Sequence, residues 1–388
     1  MTARPARLGV PLFAGGLVLA LALADGGFFR WTWPWAIVAL ATAAVGFALL
    51  GRLTRVSWLA AAFVLGLGVL AAWQAATAWW SPDPERSLED GFRGTVYAVG
   101  AATFVVLVRA AGPRRLLAGV VAGVAVTLAI GLADHARGQA DPLQGSLLSQ
   151  PIGYANAVGI LGAVAALVAI GLLIDASSPA TRVALLAAVG LCVLALVLTE
   201  SRAAWLAAFL GLVTAIVFRL RGPRPWVLPA WLSAVTVALI AVLLSPLAFG
   251  SGSLHGLLSD RAYYWPVAWH GLDAPLHGLG AGSFAQLWAL ERPVPANAID
   301  AHSLFLEALL ELGAIGLVIL VATLVLPLTA APRLAGGWAA GATGAYTAFL
   351  VHAAVDWDWE MPVVSLAGVA CGAALLAGGR RPPVGFRS

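Results

Sequence analysis

Residues 154–174 read Tyr154-Ala-Asn156-Ala-Val-Gly-Ile-Leu-Gly-Ala-Val-Ala-Ala-Leu-Val-Ala-Ile-Gly-Leu-Leu-Ile174. After Asn156 this stretch carries no polar side chain. About 20 apolar residues rising 1.5 Å each match the hydrocarbon core of a bilayer. In lipid a single segment satisfies its own backbone only as a helix. Similar runs lie near 8–24, 35–50, 56–78, 93–111, 115–133, 182–199, 203–220, 227–249, 302–328, 336–355 and 361–378. The chain is thus expected to be all-α, a polytopic membrane helix bundle of about 12 transmembrane helices. The 35–50 and 361–378 runs are short, which leaves eleven as the alternative. One integral membrane domain is expected over 1–388, with the later spans in 93–378.

Composition agrees. The chain is 61% hydrophobic and 10% charged, with mean hydropathy +0.92, whereas soluble domains carry about 25% charged residues. All 22 basic residues are arginine. A pI near 9.6 suggests nucleic-acid binding, but the arginines are scattered among short loops at membrane edges, where orientation explains them. The bilayer is the expected partner, and nucleic acid is not. Cys192 and Cys371 lie inside apolar runs, as small buried residues do.

Loop charge fixes the expected orientation. With the N-terminus inside, only Arg30, Arg86, Arg93, Arg137, Arg202, Arg261 and Arg292 fall outside, so both termini are cytoplasmic. The first run ends Ala22-Leu23-Ala24 like a cleaved signal peptide, but the alternation of loop charge predicts a retained span. All six histidines, and every carboxylate except Asp175, then share the external side. That side can do acid–base chemistry. Tryptophans 79, 80, 357 and 359 fall at helix ends, as in an aromatic belt.

One connection is long, 250–301, between the ninth and tenth spans. It holds Tyr263, Tyr264, Trp265, Trp269 and three histidines, too aromatic for a disordered linker. A short interfacial helix is expected over 259–270, limited by Pro266. Gly278-Leu-Gly280-Ala-Gly282 lacks the strand of a nucleotide loop and predicts a tight backbone turn towards the membrane.

The tenth span opens Asp300-Ala-His302-Ser303-Leu-Phe-Leu-Glu307-Ala-Leu-Leu-Glu311. Ser303, Glu307 and Glu311 share one helix face, and carboxylates in a span need partners or a wet cavity. His302 could take a proton from a sugar hydroxyl; alternatively it caps the helix while the glutamates bind arginines. Arg202, in Glu200-Ser201-Arg202-Ala-Ala-Trp205, and Arg261, in Ser259-Asp260-Arg261-Ala-Tyr-Tyr-Trp265, are external guanidinium groups suited to a diphosphate; Arg202 could also simply snorkel. Tyr154 and Asn156 read as a capping segment first and a sugar contact second. Asp83, Glu85, Glu89 and Asp90 read as a solvated acidic face. His352, Asp356, Asp358 and Glu360 read as a solvated acidic turn, with a divalent-cation site as the alternative.

In order along the chain, Ser201-Arg202-Ala-Ala-Trp205, Arg261 with Trp265, Gly278-Leu-Gly280-Ala-Gly282-Ser-Phe284 and His302-Ser-Leu-Phe-Leu-Glu307…Glu311-Leu-Gly313-Ala-Ile-Gly316 resemble the O-antigen ligase and O-antigen polymerase superfamily. The resemblance covers roughly 150–325. It implies a membrane glycosyltransferase with a long periplasmic loop, placed in the inner (cytoplasmic) membrane with its active face outward. The donor would be a glycan on an undecaprenyl-type polyprenyl diphosphate, the acceptor a glycan, lipid or protein. The family's two arginines and its histidine fall on Arg202, Arg261 and His302. No metal or other cofactor is implied. Ser303 stands where the family often has asparagine; Asn156 matches the familiar pre-helix asparagine. Glu307 and Glu311 would orient the arginines or the histidine, and Tyr264, Trp265 and Asn156 would meet sugar. Two rivals remain at this level. One is a transporter or flippase of lipid-linked sugars; the other is a non-catalytic scaffold of a polysaccharide assembly complex.

Overall fold

The computed structural model describes residues 3–50, 56–138, 144–221 and 260–378, and no strand occurs among them. Thirteen α-helices follow in order: α1 (Ala3–Ala22), α2 (Thr32–Leu50), α3 (Trp58–Ala76), α4 (Pro84–Ala111), α5 (Pro113–Ala136), α6 (Ala155–Asp175), α7 (Pro179–Leu198) and α8 (Arg202–Arg221). After them come α9 (Arg261–His270), α10 (Phe284–Glu291), α11 (Leu304–Ala330), α12 (Gly337–Ala353) and α13 (Pro362–Ala377). Among the described residues, 8 helices are long and apolar enough to cross a membrane, while α1 and α13 are shorter apolar helices. The run at 227–249 lies outside the described residues, as do 250–259 of the long loop.

Helix starts follow local chemistry. Asp83 accepts the Arg86 N–H at 3.2 Å and Pro84 fills the first helical position, where no N–H is needed. α4 therefore begins nine residues before the expected 93, and the acidic run lies on a helix. Ser57 and Ser303 cap α3 and α11 in the same way. Prolines 113, 179 and 362 open α5, α7 and α13.

α6 is the centre of the bundle. Its apolar window is 78% buried, against 22% for α2, α7 and α8, whose exposed Val38, Val193 and Phe209 suit lipid contact. Packing at the centre depends on small residues, because helices in lipid associate by close approach and not by expelling water. α12 crosses α6 at Gly171, Gly337 and Gly341; a Cβ on Gly341 would sit 2.6 Å from the Leu167 carbonyl oxygen. Gly341→Ala should therefore lower the apparent melting temperature in detergent, by about 1–3 kcal/mol of overpacking. Gly190→Ala on α7, where nothing lies within 4 Å, should not. Equal melting of the two variants would contradict the crossing.

α11 is broken at Gly313, whose φ is +67°. The loop after α9 plugs the break. Leu279 and Gly280 donate to the Leu310 and Glu311 carbonyls at 2.9 and 2.8 Å, while Ala314 and Ile315 donate back to Pro275 and Leu276 at 2.8 and 3.2 Å. Backbone that leaves the helix at membrane depth must find such partners. The expected tight turn is present, with Gly278, Gly280 and Gly282 all at positive φ.

Within the long connection the described residues begin at Asp260. The helix expected over 259–270 is α9, but it does not lie free at an interface. Tyr264, Trp265, Val267 and Ala268 are buried in a second apolar cluster with Phe284, Trp288, Leu306 and Leu310. The loop thus forms a cap seated on the start of α11. Of the tryptophans expected in a belt, Trp79 is exposed, whereas Trp359 is buried against Tyr97 with ring centroids 4.7 Å apart.

Candidate active site

The mouth of α11 is shaped by two hydrogen bonds. Ser303 Oγ accepts the Leu306 N–H at 3.4 Å, and Glu307 reaches back to accept the Ala301 N–H at 2.6 Å. Between them His302 is forced to φ +55°, a left-handed conformation that costs roughly 1–2 kcal/mol outside glycine. Its Nδ1 lies 3.0 Å from the Asp300 carbonyl oxygen. In a neutral ring that contact is a donated N–H, which leaves Nε2 as a lone-pair acceptor. The ring packs between Tyr264 and Trp357, at centroid distances of 5.1 and 5.9 Å. Burial above all, helped by the charge of Arg261, lowers its pKa below the ordinary histidine value despite the pull of Asp356. Burial thus favours the uncharged ring, and the Asp300 carbonyl favours a proton on Nδ1 of a half-buried imidazole.

Beside it, Arg261 opens α9 and is clamped from the far side. Its Nη2 donates to Asp356 Oδ2 at 2.6 Å, and its Nε donates to the Val355 carbonyl. Asp356 is completely buried and accepts three more bonds: from Tyr154 Oη at 2.7 Å, Asn156 Nδ2 at 2.7 Å and the Trp357 N–H at 2.9 Å. Burial alone would raise its pKa. The Arg261 guanidinium, the largest opposing influence, outweighs that and holds it below the usual aspartate value. A fixed anion thus aims a cation whose remaining N–H groups can face a ligand, in the fork geometry that suits phosphate.

The acidic turn 356–360 is buried, not solvated, because α4, α6 and the cap close over it. Asp358 pairs with His352 at 2.6 Å, and burial raises the Asp358 pKa. Glu360 meets Arg93 at 3.0 Å, which also holds Asp90 at 2.8 Å. Asp90 is mostly enclosed too, so the solvated reading of the 83–90 run holds for Glu85, which pairs with exposed Arg30, but not for Asp90. These groups wall a cavity of about 370 Å³ lined by Phe28, Trp33, Arg86, Asp300, Glu307 and Glu360, among others. Phe28 packs edge-on against Trp357 at 5.4 Å, so the cavity adjoins the His302 cluster.

The structure brings Arg261, His302, Tyr264 and Asn156 together. Tyr154 and Asn156 do not cap α6 through their side chains; they hold Asp356. Trp265 is buried, its Nε1 donating to the Ala301 carbonyl at 3.1 Å, and so supports the 300–303 segment from below. Glu307 bonds the Ala301 N–H, and Glu311 takes the Gly282 and Phe284 N–H groups, each at 2.9 Å. Both carboxylates thus fix backbone around the histidine. Arg202 is exposed at the start of α8. The first turn of α8 packs on α6 at Gly159, where an added Cβ would lie 3.0 Å from Ala204 Cβ. Arg202 therefore reaches the same end of the bundle as Asn156. Sequence reasoning missed Asp356 as the Arg261 anchor; its signal was an acid four residues beyond His352, the first of three in the turn.

A comparison with curated proteins gave no match. Residues 187–321 match the family model described as O-antigen ligase. That segment contains Arg202, Arg261, His302, Glu307 and Glu311, but neither Asn156 nor Asp356. Over this segment the chain is similar to the O-antigen ligase family, in line with the resemblance of the ordered motifs.

Proposed function

We propose that the protein transfers a glycan from a polyprenyl diphosphate to an acceptor hydroxyl at the external face of the membrane. His302 Nε2 takes the proton of the acceptor hydroxyl as its oxygen attacks the anomeric carbon. The bond from that carbon to the diphosphate breaks, and the polyprenyl diphosphate leaves with the electron pair. Arg261 and Arg202 bind the diphosphate and stabilise its growing charge. Trp357, flanking the imidazole and only partly buried, offers a surface for a sugar ring, while Tyr264 packs the imidazole from the cap side.

One observation carries the reading: an imidazole whose Nδ1 lies against the Asp300 carbonyl stands beside a guanidinium held by a buried aspartate. A transporter would place its ionisable groups near the bilayer midplane; here they gather at the mouth of α11. The test uses proteoliposomes of the intact chain with a polyprenyl-diphosphate oligosaccharide and a panel of glycan, lipid and protein acceptors. Covalent product and released polyprenyl diphosphate are expected. Arg202→Ala should lower kcat/KM for the donor at least tenfold. Movement of labelled donor across the membrane with no covalent product on any acceptor would reject transfer in favour of transport.

A further inference from the structure

A row of aromatic side chains leads from the His302 imidazole to the 370 Å³ cavity. Trp357 meets the imidazole at a centroid distance of 5.9 Å. Phe28 follows edge-on at 5.4 Å, and Phe29 lies edge-on to Phe28 at 5.3 Å. None of the three is fully buried, and Phe29, at the outer end, is 48% exposed. The turn that carries the two phenylalanines is prebuilt. Thr32 Oγ1 donates to the Gly27 and Phe29 carbonyls at 2.9 and 2.7 Å, and Trp33 Nε1 donates to the Gly27 carbonyl at 3.0 Å. Rings held in this way need little ordering when a ligand arrives.

Most of the remaining lining is charged, and carboxylates outnumber arginines in it. Each arginine is already engaged. Arg30 pairs with Glu85 and Glu89 at 3.2 and 2.6 Å, Arg86 with Asp83 at 3.5 Å, and Arg93 with Asp90 and Glu360 at 2.8 and 3.0 Å. Two acids are left over. Among the described residues the Asp300 carboxylate makes no hydrogen bond or ion pair, and Glu307 takes only the Ala301 N–H. Burial pushes the Asp300 pKa up to about 7, so near neutral pH this carboxyl exists in both a donating and an accepting form.

An acyl chain in this cavity would strip water from charged groups without replacing it. A phosphate would meet carboxylates before any unpaired guanidinium. A sugar suits both halves of the lining, with C–H faces for the rings and hydroxyls that donate and accept for the carboxyls. The volume lies within the range of small-ligand pockets, about 300–1,000 Å³. We propose that Phe29, Phe28 and Trp357, with Asp300 and Glu307, form a binding track for a saccharide of uncharged or amine-bearing units, and that the track rejects acidic sugars. The chain laid on it ends at the imidazole. This assignment deepens the transfer reading and rests on it for the fate of the sugar.

Saturation-transfer NMR on the full chain, in a detergent without sugar headgroups, reads binding without turnover, so track and transfer can fail separately. The probes are maltotriose, the glucosamine trimer and trigalacturonate. The first two should bind saturably, and the third about tenfold more weakly, because like charges would face each other. Phe29→Ala and Asp300→Ala should each weaken binding about fivefold or more. Trp79→Ala, which removes an exposed ring that does not line the cavity, should not. If Phe29→Ala does not fold, Phe29→Leu takes its place, keeping bulk without a ring. His302→Asn should bind the probes as the wild type does. In the transfer assay, Phe29→Ala should raise KM for the acceptor if the acceptor end occupies the track, and KM for the donor if the donor's glycan does. Absence of saturable binding by both maltotriose and the glucosamine trimer, preference for trigalacturonate, or equal binding by wild type, Phe29→Ala and Asp300→Ala overturns the track.

Discussion

His302→Asn should reduce glycan transfer by about 10²–10⁴-fold, the usual contribution of a positioned proton acceptor, with little change in melting temperature. Asparagine is the informative replacement because it tolerates the left-handed φ of +55° found here. It keeps the backbone of the α11 mouth but offers no base. His302→Ala should lose the same activity and add about 1 kcal/mol or more of instability from the strained conformation. The loss should appear in kcat, since the imidazole acts only as the hydroxyl gives up its proton, and donor binding should persist. Normal turnover in a folded His302→Asn protein would remove the base from the mechanism.

The second large effect belongs to Asp356. Removing one partner of a buried ion pair leaves an uncompensated charge and costs about 3–5 kcal/mol, and Asp356 also satisfies Tyr154, Asn156 and the Trp357 amide. Asp356→Ala should both lower the melting temperature and cut transfer at least a hundredfold, because Arg261 is released. Asp356→Asn keeps the shape and part of the bonding but not the charge. It should retain most of the stability while KM for the donor rises. Arg261→Lys should resemble it, since an ammonium cannot hold both the Val355 carbonyl and the carboxylate while presenting a fork outward. The clamp should survive mild acid. The folded pKa of Asp356 lies below 3.8, so its contribution is fully present above 3.8 and is lost only as pH falls through the lowered value. Unchanged activity in Asp356→Ala would show that Arg261 needs no anchor.

The bundle was legible because membrane spans announce themselves in single stretches, and serine, aspartate and proline mark where α3, α4, α5, α7, α11 and α13 begin. The order of Arg202, Arg261 and His302 was legible as a motif. Their supports were not. Tyr154 and Asn156 stand about two hundred positions from Asp356, and no local pattern joins them. The turn from Asp356 to Glu360 looked solvated because three acids alternating with tryptophans at a helix end usually are; burial there is decided by α4 and α6, which arrive from elsewhere. Glu307 and Glu311 were rightly placed on one face of α11. Their partners are backbone N–H groups of a loop, which composition does not reveal.

The plugged break in α11 has a mechanical consequence. Because four main-chain bonds stitch the glycine turn into the interrupted helix, peeling that side of the cap away would strand donors and acceptors in hydrocarbon. The floor on the Gly278–Gly282 side is stiff, so room for the proposed saccharide would open along the opposite rim, where Arg261 of α9 and Asn156 of α6 share Asp356.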